Sequence, residues 1–154
     1  MTIRLATDAD IASVAHLRRV WTEEACGEPV DDPDHLTVFT QWWEEERLRR
    51  TFWLAETDEP IGFITMVEFV RMPRPGQRAS RWGYIGNAFV VPEHRGSGVG
   101  TDLLTAALDH ADTRGHVRVV LSPSERAIPL YRRAGFDTAD SLMLRRLPGG
   151  PPTG

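Results

Sequence analysis

The residues best placed to do chemistry form one run, Val91-Pro92-Glu93-His94-Arg95-Gly96-Ser97-Gly98-Val99-Gly100-Thr101. A β-type segment ends at Val91-Pro92 and a helical apolar pattern begins at Gly98, so the run is a turn leading into a helix N-terminus. Backbone N–H groups and the helix dipole converge at such a turn, which suits an anion. Glycines let the backbone approach that anion closely, and Arg95 adds a positive charge beside it. The chemistry implied is the holding of a pyrophosphate. The Lys-Ser/Thr pair of a nucleoside triphosphate loop is missing, and the glycines do not open a first βαβ unit as in a dinucleotide fold.

Charge gives a second signal. Glu23, Glu24, Glu28, Asp31, Asp32, Asp34, Glu44, Glu45 and Glu46 follow one another with no Lys or Arg among them. A solvated surface accounts for such a run, and so does a negative rim that attracts a cationic amine. Trp21, Trp42 and Trp43 lie within or beside it, and Trp53 and Trp82 further along. Aromatics next to carboxylates suit a cationic, partly apolar ligand, and equally a hydrophobic core. The net charge of −4 speaks against general nucleic-acid binding. Cys26 is the single cysteine, which excludes an internal disulfide and fits a reducing, cytoplasmic setting. No stretch approaches the roughly 20 apolar residues of a membrane span, and no secretory signal is visible, so no membrane partner is expected.

The elements that must position these residues follow from periodicity. A length of 154 residues suits one compact domain, expected over 1–147, with 148–154 a disordered tail. Thr2 to Ala6 reads as a strand. Asp8 is expected to cap a helix carrying Ile11, Val14, Ala15, Leu17 and Val20, ending near Gly27. A second helix is expected from about Asp34 to Arg50. Thr51 to Thr57 and Ile61 to Val70 form a hairpin across Asp58-Glu59-Pro60, and Trp82 to Val91 a further strand. Gly98 to about Arg114 is an amphipathic helix, Val117 to Leu121 a buried parallel strand, and Ser124 to Gly135 a last helix. Leu142 to Leu147 is expected to add a final strand. The order describes an α/β domain with a mixed sheet.

Arg95-Gly96-Ser97-Gly98-Val99-Gly100 resembles the R/Q-x-x-G-x-G/A signature of the GNAT superfamily of acetyl-CoA-dependent N-acetyltransferases. About thirty residues later, the segment from Ser124 through Ala127, Leu130 and Tyr131 to Gly135-Phe136 resembles that family's second signature, N/S-x-x-A-x-x-L-Y-x-x-x-G-F. The resemblance implies a GNAT fold, a mixed central β-sheet flanked by helices with a splay between strands four and five. It implies acetyl-CoA as co-substrate, no metal, and direct attack of a neutral amine on the thioester.

Site residues are carried over position by position. The pyrophosphate falls to Arg95, Gly96, Ser97, Gly98, Val99, Gly100 and Thr101, and the pantetheine arm to the backbone of Phe89, Val90 and Val91. Tyr131 matches the tyrosine that protonates the departing thiolate, with ring packing as its alternative role. Ser124 stands where Asn is frequent, to bond the pantetheine or cap the helix. Tyr84 occupies the position where some members carry a glutamate base. The base therefore passes to Glu68 on the neighbouring strand, or to Glu23, Glu24 or Glu28, with Asn87 to orient a water or the acceptor. His94 is expected to face solvent. The acceptor implied is a small-molecule amine. A protein lysine or N-terminus, and a catalytically inactive CoA-binding sensor, are the alternatives. The resemblance also allows a homodimer.

Overall fold

A computed structural model describes residues 1–149. Five strands, β1 (Thr2–Leu5), β2 (Arg50–Glu56), β3 (Pro60–Val70), β4 (Arg81–Val90) and β5 (His116–Leu121), form one sheet in the order β1-β2-β3-β4-β5. The first four pair antiparallel, and β5 joins β4 in parallel. A parallel neighbour requires a crossover, supplied by α3 (Val99–Thr113). Helices α1 (Ile11–Cys26) and α2 (His35–Glu46) follow β1, and a short α4 (Ile128–Arg133) comes after β5. The chain divides into two compact units, Met1–Leu121 and a smaller one beginning at Ser122.

In the first unit the strand register sets Phe52, Thr65 and Asn87 side by side, and likewise Leu54, Phe63 and Phe89. This sheet face is covered by α1 and α2. Val14, Leu17 and Trp43 pack with Phe52, Leu54, Phe63 and Phe89 in one core cluster. Trp43 stacks on Phe52 at 4.4 Å and Trp21 on Phe89 at 5.5 Å between ring centroids. Alternate strand residues point to the opposite face, where α3 buries Leu103, Leu104, Ala107 and Ala111 at helical spacing. Trp53 belongs to that side and meets His110 of α3 edge-on at 5.2 Å.

Two irregularities of β4 shape the surface beside it. The β3–β4 register passes from Thr65↔Asn87 to Met66↔Ile85, leaving Gly86 as an extra, bulged residue. Pairing with β5 ends at Ile85↔Leu121, so the strand from Gly86 to Val90 has no strand partner on that edge among the described residues. This is the splay that the resemblance implies.

Three local expectations need correction. Asp8 does not cap α1. It accepts hydrogen bonds from Trp43 Nε1 at 2.9 Å and Arg47 at 3.2 Å, while Asp10 closes the helix entry by accepting the Thr7 N–H at 2.8 Å. The second helix stops at Glu46, and Arg50 already belongs to β2. The final strand is not formed. Leu142, Met143, Leu144 and Leu147 lie exposed outside any regular element. Their run offers apolar groups at three successive positions and then two arginines, so neither face is distinct, and a strand of this length needs a ladder partner. Of the expected tail, residues 150–154 lie outside the described residues.

Candidate active site

The turn between β4 and α3 carries its glycines where the backbone demands them. Gly96 and Gly98 have φ of 76° and 95°, which side-chain-bearing residues adopt at a cost. A Cβ added at either would meet nothing within 4 Å, so the turn fronts open space. The first intrahelical bond runs from the Asp102 N–H to the Gly98 carbonyl at 2.9 Å. The N–H groups of Val99, Gly100 and Thr101 therefore project from the helix end with the positive pole of its dipole. Backbone and space together fit a bound anion. Ser97 Oγ donates to the His94 carbonyl at 2.7 Å, which tightens the loop.

Arg95 does not reach over the turn in this structure. Its Nε donates to the Val90 carbonyl at 2.8 Å, and its two terminal nitrogens grip both oxygens of Glu24 at 2.6 and 2.7 Å. The guanidinium also lies 5.5 Å from the centre of the Phe89 ring. The charge that sequence reasoning set on the phosphate is thus matched by the C-terminal end of α1.

Along β4, Val91 donates its N–H to the Ile61 carbonyl at 2.9 Å, toward β3. By two-residue alternation the amides of Val90 and Ala88 face the opposite, unpaired edge. Phe89 has its ring in the core, 5% exposed. The N–H groups available on this strand are those that β5 leaves behind.

On the α1/α2 face a cavity of about 190 Å³ opens beside the bulge. Its walls include Val14 and Arg18 of α1, Trp42 of α2, Phe52 and Phe63 of the sheet, and Asn87 next to Gly86. The register places Tyr84 on this face as well, across from Val67 and Arg50. Arg50 stacks over Trp42 at 4.9 Å and is held by Glu46. Of the expected aromatic frame, Trp42 lines the cavity, Trp43 is core, Trp53 is on the far side of the sheet, and Trp82 stacks on Phe69 at 4.5 Å.

Glu68 requires a correction. Strand alternation turns it to the α3 side of the sheet, away from the cavity, together with Ile64 and Met66. There it accepts two bonds from Arg114 at 2.5 and 2.8 Å and contacts His116 Nε2 at 2.7 Å, with Arg81 at 3.5 Å. Arg114 above all, then His116, hold its carboxyl down at about 2 against the desolvation that opposes them. A carboxylate so stabilised is a poor proton acceptor and faces the wrong way. Glu23 accepts the Val30 N–H at 3.2 Å, and Glu24 is bound to Arg95.

In the second unit, Ser124 precedes a 3₁₀ turn at Glu125–Ala127, its carbonyl accepting the Ala127 N–H at 3.0 Å. Tyr131 is 8% exposed, with Phe136 edge-on at 5.7 Å, and burial pushes its phenol pKa up. A phenol in that state stays protonated at neutral pH and keeps a proton to donate.

Sequence reasoning missed Arg18. Its signal was its place on the apolar stripe of α1, four residues after Val14 and three before Trp21. The bulge was marked by Gly86, one of the two glycines of β4 with Gly83.

The chain matches the model of the Acetyltransferase (GNAT) family over residues 14–136. It is 33% identical over 143 residues to a glucosamine 6-phosphate N-acetyltransferase of Trypanosoma brucei brucei, covering 93% of each chain. It is 30% identical over 158 residues to an aminoglycoside N(6')-acetyltransferase type 1 of Stenotrophomonas maltophilia, covering 97% of this chain and 95% of the other. Among solved structures it is similar to a predicted acetyltransferase from Clostridium acetobutylicum with acetyl-CoA, with a TM-score of 0.76, 22% identity, and 94% and 95% of the two chains covered. A GCN5-related N-acetyltransferase from Ralstonia eutropha JMP134 gives a TM-score of 0.72 at 25% identity, covering 97% and 99%.

Proposed function

The chain belongs to the GNAT family of acyl-CoA-dependent N-acyltransferases, and from that premise we propose that it transfers an acetyl group from acetyl-CoA to the primary amine of a small molecule. The observation that carries this reading is the continuity of the unpaired β4 edge with the glycine turn and the open N-terminus of α3. A pyrophosphate fits the amides of Gly96 to Thr101, and the pantetheine arm fits the edge amides near Phe89, Val90 and Val91.

Acetyl-CoA supplies an acetyl group activated as a thioester, so the amide C–N bond forms as the C–S bond breaks. An edge N–H of β4 polarises the carbonyl, a role that a fixed backbone donor performs without reorganisation. The match to the family's second signature assigns to Tyr131 the proton for the departing sulfur and to Ser124 support of the pantetheine. Glu68 receives no catalytic role. Tyr84 and Asn87, the polar groups on the cavity face of β4, order the water that takes the amine's proton.

The small cavity favours a small acceptor over a protein chain, which needs an extended groove. Release of free CoA, followed with acetyl-CoA and a panel of amino sugars, amino acids, aminoglycosides and peptide N-termini, tests the reading. Turnover on a small amine with the acetylated product identified by mass supports it. Preference for peptides moves the acceptor to protein, and failure to bind acetyl-CoA removes the reading altogether.

A further inference from the structure

We propose that Arg18 recognises an anionic group, phosphate or carboxylate, on the acceptor that carries the amine. The proposal rests on the acetyl-transfer reading above and specifies its acceptor class.

Arg18 sits in the middle of α1 and lines the cavity that Asn87 also lines. Its guanidinium lies over the Trp21 ring, 4.5 Å from the centroid. Its hydrogen bond is one long contact, to Thr22 Oγ1 at 3.3 Å. A guanidinium carries five N–H donors, so most of its capacity is left toward the cavity. Among the described residues no carboxylate pairs with it.

The neighbouring arginines behave otherwise. Arg19 is satisfied by the carbonyls of Val30 and Asp32 at 2.8 and 2.9 Å, Arg50 is paired with Glu46, and Arg95 with Glu24. Desolvating a charge without a partner is unfavourable, and burial already biases Arg18 against its charged form. A half-buried arginine left open to a cavity is therefore a waiting partner for an anion. Arg also matches the planar, two-oxygen geometry of phosphate and carboxylate better than Lys.

The other walls support this assignment. Phe39, Trp42, Phe52 and Phe63 are apolar, and Arg18 is the one charged side chain among the lining residues. Among the described residues no acidic side chain lines the cavity, so none of them would compensate a second ammonium on the acceptor. The acidic run that sequence reasoning set as a rim is engaged elsewhere in part, by Arg95, Arg49 and Arg50 and by the Val30 N–H. The arrangement places an anion at Arg18 and the reacting amine toward Asn87 and β4.

The experiment uses matched acceptors with the full chain: glucosamine 6-phosphate against glucosamine, and amino acids against their amides. Wild type should prefer one anionic member by about ten- to hundredfold in kcat/KM, the effect of a charge-assisted contact. Arg18→Met keeps the apolar stem and should erase that preference, mainly through KM, lowering kcat/KM for the anionic acceptor far more than for its neutral partner. Arg18→Lys should restore part of it. The phosphate and carboxylate arms distinguish the two sources of the anion. Binding of non-amine analogues, glucose 6-phosphate and N-acetyl amino acids, read by tryptophan fluorescence, is independent of turnover. It should be present in wild type and lost in Arg18→Met. Equal use of anionic and neutral acceptors, or equal loss of both in Arg18→Met, overturns the proposal while leaving acetyl transfer standing. Absence of transfer to every amine sinks the parent reading instead, and the fluorescence arm then decides Arg18 by itself.

Discussion

Replacing Glu68 by glutamine separates a structural carboxylate from a catalytic one. The geometry makes Glu68 the anchor of Arg114 and His116, whose side chain is 1% exposed and whose Nδ1 has no hydrogen-bond partner among the described residues. At about 1.4 kcal/mol per pH unit, holding the carboxyl at about 2 instead of 4.5 corresponds to about 3 kcal/mol of stability at neutral pH. Arg114 is partly solvated, which reduces this to about 2 kcal/mol. For a chain of this size the melting temperature should fall by roughly 4–8 °C. The folded-state carboxyl is depressed, so its contribution is complete above the unfolded value near 4.5 and disappears as pH falls toward 2. The gap between wild type and Glu68→Gln, measured by thermal melts from pH 7 to pH 3, should therefore narrow on acidification. Its kcat/KM profile against pH should match wild type. A variant that melts like wild type but loses one limb of that profile would show that Glu68 is the base and that the face assignment is wrong.

Two further outcomes test the site. Gly100→Asp puts a carboxylate in the first turn of α3 without requiring a positive φ, and should weaken acetyl-CoA binding at least about a hundredfold by calorimetry in a protein that still folds; unchanged affinity would remove the phosphate from this turn. Tyr131→Phe should lower kcat by about ten- to a hundredfold with acetyl-CoA affinity within a factor of two. Because burial raises the phenol above its ordinary pKa, no alkaline loss of activity below about pH 10 should trace to it.

What was legible in the sequence was whatever local pattern decides. The stripe Leu103, Leu104, Ala107 and Ala111 announces α3, and Gly96 and Gly98 announce a turn whose φ values suit few other residues. What was not legible depends on partners distant in sequence. Leu142 to Leu147 is an apolar run broken by two arginines, and a ladder needs a neighbour that composition does not name. The face of Glu68 follows from the register of three strands, and the bulge at Gly86 changes that parity along β4. Arg18 could be placed on α1, but its lack of a carboxylate is a property of the packed molecule. The choice of Asp10 over Asp8 at the entry of α1 turned on Trp43 and Arg47, which claim Asp8 from far along the chain.

The ion pair between Glu24 and Arg95 joins the C-terminal end of α1 to the glycine turn. Six residues, about 9 Å along the axis, separate Arg18 in the cavity wall from Glu24, which holds Arg95 of the glycine turn. On the proposed acetyl-CoA reading, a polyanion settling on that turn would compete with Glu24 for the same guanidinium. A ligand that fixes the middle of the helix acts on the same rod from the other side. Any such coupling must be reciprocal, so each guest should alter the other's affinity by the same factor. Titrating one ligand at several fixed levels of the other would read that factor directly.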